Sequence, residues 1–284
     1  MQEFFKKQET MLLYIDWNVN PTIFEIGPLS IRWYGLMFAI GFLIGYKLIE
    51  NMFLREKMDI TTGVLDSLLL YVFAGTVIGA RFGHVVFWEW DYYSQHLIEI
   101  PQIWKGGLAS HGAMVILPLI LWFFSAKIIK KPALWLLDRI AIAVAMTGGF
   151  IRLGNLFNHE IVGKETESAW GFIFRQCYNC GDVARHPVQL YESFSYFIIF
   201  AIMMFLYWRT DLGKKRGFLF GFFLTTIFGM RFLLEYFKRH FIGVETNLME
   251  TYGMNLGQIL SIPAVLLGIY LMLTARKRLM DLPY

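Results

Sequence analysis

Seven stretches of this sequence run almost without charge: Gly35–Tyr46, Leu68–Ala80, Met114–Phe124, Ile140–Phe150, Tyr196–Leu206, Phe218–Phe228 and Ile259–Leu273. With moderately polar flanks each reaches about 20 residues, the length a helix needs to cross a hydrocarbon core of roughly 30 Å. Lipid offers the backbone no hydrogen-bond partner, so spans of this kind must be helical. The rest of the composition leaves little alternative. Only 17% of residues are charged and 56% are hydrophobic, whereas a soluble domain carries about 25% charge. Nine of the 25 glycines fall inside the apolar windows, as close helix contact in membranes favours. The expected fold is an all-α polytopic membrane protein with about seven transmembrane helices.

Charge sets the orientation. Arg55 and Lys57, then Lys127, Lys130 and Lys131, then Arg209, Lys214, Lys215 and Arg216 lie in the odd-numbered connections, and the C-terminal tail opens with Arg276, Lys277 and Arg278. Basic residues in short loops beside span ends mark the cytoplasmic side. The other connections are longer and more acidic, with Glu89, Asp91 and Glu99, then Glu165, Glu167 and Asp182, then Glu245 and Glu250. The N-terminus is therefore expected outside and the C-terminus in the cytoplasm. Met1–Thr10 is polar and lysine-bearing without a small-residue cleavage pattern, so no removable signal peptide is expected, and Met11 is an alternative start. Residues 1–30 read as an N-terminal arm along the membrane surface, broken at Pro21 and Pro28, and residues 31–284 as the transmembrane domain. Within it, the connection at about 158–187 reads as a small extracytoplasmic subdomain, whose Trp170–Phe174 suits strand or interfacial packing. Cys177 and Cys180 fall in this connection. One such pair supplies two of the four ligands of a structural zinc, so a disulfide or free thiols is the expectation and no metal is.

Polar residues at the span ends carry the chemistry. Arg152, Asn155 and Asn158 share one side of the fourth span, with His159 nearby. An arginine at membrane depth is costly unless paired or hydrated, so the set suggests a polar cavity, and a guanidinium can fork onto a phosphate or carboxylate. A helix end whose arginine reaches the headgroups is the plainer alternative for Arg152 alone. Arg231 and Glu235, four residues apart, face each other on the sixth span. His111 stands among small residues in Ser110-His111-Gly112-Ala113, which leaves space beside a ring suited to acid–base work. Without further context, a structural, hydrogen-bonded histidine is the better reading of that string. His186-Pro187-Val188-Gln189-Leu190-Tyr191-Glu192 opens the fifth span with Gln189 and Glu192 on one face; Tyr34 opens the first, and Arg81 lies in the second.

The string Gly149-Phe150-Ile151-Arg152-Leu153-Gly154-Asn155-Leu156-Phe157-Asn158-His159-Glu160-Ile161-Val162-Gly163 resembles the signature of the bacterial prolipoprotein diacylglyceryl transferases. Further similar segments follow in order: Ile31–Leu36, Gly79-Ala80-Arg81, Ser110-His111-Gly112, His186–Glu192, Arg231–Glu235 and Gly257–Ser261. The resemblance implies transfer of a diacylglyceryl group from phosphatidylglycerol to the lipobox cysteine of a preprolipoprotein signal peptide. That reaction takes place at the outer leaflet of the bacterial cytoplasmic membrane, among membrane lipids, with neither cofactor nor nucleic acid. It further implies catalytic roles for His111, Arg152 and Arg231, and binding or orienting roles for Tyr34, Arg81, Asn155, Asn158, Glu160, Gly163, His186, Gln189, Tyr191, Glu192 and Glu235. The Cys177/Cys180 pair and the Met1–Thr10 extension lie outside the signature, and Ala113 stands where a second glycine is expected. A lipid transporter or another lipid-headgroup enzyme is the rival. A transporter of paired halves would show corresponding broken helices, and no such internal symmetry is visible in the sequence.

Overall fold

The computed structural model describes residues 14–27, 29–59, 63–87, 89–103, 107, 110–239 and 253–278, without the side chains of residues 29, 110, 111 and 256. The extension Met1–Thr10 and the alternative start Met11 lie outside the described residues. Among the described residues, seven helices are long and apolar enough to cross a membrane. They are α1 (Trp33–Arg55), α2 (Val64–Phe87), α3 (Ser110–Phe124, continued by a wider turn over Ser125–Ile129), α4 (Ala133–Phe157), α5 (Val188–Arg209), α6 (Phe218–Leu234) and α7 (Leu256–Thr274). The chain is a multi-pass membrane protein. Each helix keeps its backbone bonded within itself, which is why the apolar windows of the sequence become helices.

The chain divides into two compact units, one from Met1–Gly45 with Ala141–Leu279 and the other chiefly from Tyr46–Ile140. In the first unit α6 packs between α5 and α7. Residues outside the spans add four short strands. β1 (Ile15–Trp17) pairs in parallel with β4 (Phe172–Phe174), while β2 (Thr22–Ile26) and β3 (Leu29–Arg32) form an antiparallel hairpin that runs directly into α1. The N-terminal arm and the connection between α4 and α5 thus share a sheet. Arg175 fastens the pairing with an ion pair to Asp16 (2.7 Å) and another to Asp182 (2.7 Å). Beneath lie buried Leu156, Val162, Phe172, Phe174 and Cys180, with Trp17 and Leu190 against them. The Trp17 indole donates to the Leu156 carbonyl at 3.1 Å, tying the arm to the end of α4. Cys177 and Cys180 form a disulfide.

In the second unit α2 packs on α3. The basic residue at the start of the fourth span is neutralised inside the protein: Arg139, fully buried, donates from Nη2 to Glu56 Oε1 at 2.6 Å, and the Trp135 indole donates to the other Glu56 oxygen at 2.8 Å. Asp138, also fully buried, lies 3.9 Å from the same guanidinium.

Candidate active site

Four span ends of the first unit carry the polar residues. Successive spans alternate in direction, so the start of α1, the end of α4, the start of α5 and the end of α6 belong to one side of the membrane. Glu192, in the first turns of α5, is completely buried and carries a cation on each oxygen: Arg152 Nε at 2.8 Å from Oε2 and Lys238 Nζ at 3.0 Å from Oε1. A carboxylate this deep requires such pairing, since an unpaired buried charge is strongly destabilising. Arg152 also donates from Nη1 to Asn155 Oδ1 at 3.0 Å, and Asn155 donates in turn to Glu160 Oε1 at 2.7 Å. Asn158 reaches the same Glu160 oxygen at 3.3 Å. The result is a continuous chain from Glu192 through Arg152 and Asn155 to Glu160. The helical spacing 152, 155, 158 is what allows it.

Glu160 is presented by a constrained turn. His159 and Ile161 on either side of it have φ of +53° and +58°, a region that costs a non-glycine residue roughly 1–2 kcal/mol. Bonds to neighbouring segments hold the turn. Gln189, fully buried, donates to the Glu160 carbonyl at 2.7 Å, and the buried His159 ring lies 2.9 Å from the Val19 carbonyl. Gly163 then pairs on both sides. Its N–H donates to the His186 carbonyl at 3.0 Å, and it forms an antiparallel bridge with Lys238. A Cβ there would sit 2.5 Å from the His186 carbonyl oxygen, so only glycine fits, and its contribution is this close crossing of chains. The Tyr34 ring lies over Gly154, where a Cβ would come within 2.8 Å of it, and its hydroxyl senses both Glu160 and Arg152 electrostatically. His186 and Tyr191 form a separate aromatic group with Phe237: the imidazole Nδ1 is 3.2 Å from the Tyr191 hydroxyl, and its ring centre is 5.1 Å from that of Phe237. Burial holds the His186 pKa below the usual imidazole value.

Arg231 is arranged differently from the sequence expectation. It lies close enough to Glu192 and Tyr196 to act on both through space. Among the described residues, however, its guanidinium has no carboxylate within the 4.0 Å of an ion pair. Glu235, expected as its partner, pairs instead with Lys238 at 2.9 Å. Glu192 does anchor an arginine, but that arginine is Arg152.

The remaining two sequence candidates belong to the second unit. Arg81 is buried, and it donates to the carbonyls of Ile100 (2.6 Å), Glu99 (2.9 Å) and Gly107 (3.1 Å) while lying 4.8 Å from the centre of the Tyr93 ring. These contacts make it the anchor of the segment between α2 and α3. His111 lies in the first turn of α3, and its side chain is outside the described residues. The small residue after it, Gly112, serves helix packing, since a Cβ there would come 2.6 Å from the backbone of Gly83 on α2.

The sequence model of the family "Prolipoprotein diacylglyceryl transferase" matches residues 21–274. The chain belongs to the prolipoprotein diacylglyceryl transferase family. It is 46% identical over 261 residues to the phosphatidylglycerol–prolipoprotein diacylglyceryl transferase of Tolumonas auensis, covering 92% of this chain and 97% of that one. The similarly named proteins of Chloroherpeton thalassium (44% identity, 93% and 96% coverage) and Porphyromonas gingivalis (41%, 94% and 97%) match over comparable lengths. The matched segment contains every candidate residue named above.

Sequence reasoning missed one member of this transferase-family site, Lys238. Its signal was present: Lys238-Arg239 is a basic pair at a span end that the charge rule expects to be the outer one, where cations are disfavoured. A cation on the wrong side needs a reason, and the two carboxylates supply it.

Proposed function

We propose that this chain transfers the diacylglyceryl group of phosphatidylglycerol to the lipobox cysteine thiol of a preprolipoprotein, at the outer leaflet of a bacterial cytoplasmic membrane. This is the first step of lipoprotein maturation. The sulfur forms a C–S bond to the terminal glyceryl carbon, the C–O bond to phosphate breaks, and glycerol 1-phosphate leaves with the electron pair. Thiolate is the reactive form of sulfur, so the thiol proton must pass to a base, the role assigned to His111. The departing phosphate needs cations aimed at its developing charge, the role assigned to Arg152 and Arg231.

The observation that carries this reading is the unequal engagement of the two arginines. Arg152 is fixed by Glu192 and Asn155, whereas among the described residues Arg231 forms no ion pair. A rigid cation beside one with uncommitted donors suits capture of a phosphodiester, because the forked donors of a guanidinium match paired phosphate oxygens. Asn155, Asn158 and Tyr34 keep Glu160 and Arg152 in register. Gln189, Gly163, His186 and Tyr191 hold the surrounding backbone.

The test is direct. Purified protein in detergent is incubated with phosphatidylglycerol and a synthetic lipobox peptide, and mass spectrometry looks for the diacylglyceryl thioether. Wild type is expected to give product, and Arg152→Ala, Arg231→Ala and His111→Ala at least about 100-fold less, the scale of removing one charge-stabilising donor. A folded wild type that yields no thioether overturns the assignment.

A further inference from the structure

We infer that Lys238 is a positioning residue that reserves Arg231 for the substrate phosphate by holding Glu235 away from it; this rests on the reading of Arg231 as a phosphate clamp. Residues four apart on an α-helix face each other, so the default partner of Arg231 is Glu235. Glu235, the C-cap of α6, still donates its N–H to the Arg231 carbonyl, so helical spacing alone does not keep the two side chains apart. α6 closes at Leu234, and Glu235–Phe237 forms a tighter turn in which residues three apart eclipse. Lys238 is the residue that eclipses Glu235, and its ammonium sits 2.9 Å from Glu235 Oε2.

The ammonium is delivered by fixed backbone. Lys238 bridges to Gly163, the Lys164 N–H donates to the Phe237 carbonyl at 2.8 Å, and the Arg239 N–H donates to the Val162 carbonyl at 3.2 Å. The side chain is buried and reaches Glu192 Oε1 at 3.0 Å as well. On its other side Glu235 rests against the start of α7, where a Cβ on Gly257 would come 2.7 Å from the carboxyl carbon. Glu235 is thus held between Lys238 and the Gly257 backbone. A guanidinium already forked onto a carboxylate has committed the donors a phosphate would take. Without Lys238 the buried Glu235 carboxylate would lack its partner, and Arg231, four residues before it, has no ion pair among the described residues to hold it elsewhere.

The experiment is a cycle of variants: wild type, Lys238→Met, Glu235→Gln and the double variant, plus Lys238→Arg. Apparent KM for phosphatidylglycerol and for the peptide are measured separately, with thermal unfolding midpoints as a check on folding. Lys238→Met is expected to raise the phosphatidylglycerol KM by about 10-fold or more, the scale of losing one charged hydrogen bond, with a much smaller effect on the peptide KM. In the Glu235→Gln background the same change is expected to raise the phosphatidylglycerol KM much less, because Glu235 can no longer capture Arg231 while Glu192 keeps its pairing with Arg152. Lys238→Arg is expected to behave like wild type. An equal KM effect in both backgrounds, or a loss confined to kcat, overturns the proposal. Should Lys238→Met not fold, Lys238→Gln takes its place; if neither folds even with Glu235→Gln, the ammonium is structural and the proposal fails. Inactive wild type would instead sink the assigned reaction.

Discussion

At the scale of single residues, the site is built from side chains that are expensive to bury and are therefore arranged in chains of partners. Gly163 shows that backbone matters as much. Its missing Cβ lets the turn after α4 lie against His186 and Val188 while its backbone bridges to Lys238, so Gly163→Ala must push the turn away from the His186 segment. Overpacking of this kind costs about 1–3 kcal/mol, and here the strain falls on the segments that hold Glu160 and Lys238. Gly163→Ala is expected to lower the thermal midpoint in detergent and to cut thioether formation at least about 10-fold, whereas Gly229→Ala, with nothing near its would-be Cβ, should keep or slightly raise the midpoint. Equal behaviour of the two variants would refute the packing role. Much of the site was legible at this scale, because Arg152, Asn155 and Glu160 lie in one short string whose helical spacing brings them together. Lys238 was not, because its partners Glu192 and Glu235 come from two helices, one of them more than forty residues away in sequence. The exchange of partners at Glu235 depends on Lys238 being held by its bridge to Gly163, which periodicity does not reveal.

At the scale of elements, spans were easier to read than strands. Each apolar window reports on itself, whereas β1 is a strand only because β4 lies beside it, and their paired residues Asp16 and Ile173 are far apart in sequence. The hairpin of β2 and β3 was likewise hidden by the aromatic, proline-broken look of the arm. Asp16 makes the β1–β4 contact testable. Hydrogen bonding to Arg175 holds its carboxyl pKa below the usual aspartate value. A depressed carboxyl stabilises the folded arm at pH above its unfolded pKa of about 3.9, and that contribution is lost as pH falls through the folded value. Amide exchange at residues 15–17, corrected for intrinsic rates, is therefore expected to be faster in Asp16→Asn than in wild type near pH 6. The two should begin to converge as pH falls below about 4 and meet once pH drops below the lowered folded value. A constant difference across that range would show that Arg175 does not act through the Asp16 charge.

At the scale of the whole molecule, the alternation of seven spans and the basic clusters at alternate ends jointly give the expected side of each loop. Several basic residues in the connections expected outside are paired: Arg175 with Asp16 and Asp182, Arg185 with Glu165, and Lys238 with Glu192 and Glu235. Neutralised basic residues exert little pull on orientation, so the short basic loops are expected to decide it, with the connection between α4 and α5 outside. The chain has two cysteines, both in that connection and joined to each other, so the native sequence carries its own reporter. In intact spheroplasts a membrane-impermeant maleimide is expected to leave the chain unlabelled until an impermeant reductant is added, and then to label it without permeabilisation. Labelling should favour Cys177, since Cys180 is buried. Labelling that required permeabilised membranes would invert the topology. It would put Arg152, Glu192 and Arg231 at the cytoplasmic face, and a site there could not meet the thiol of a secreted precursor after its lipobox has crossed the membrane.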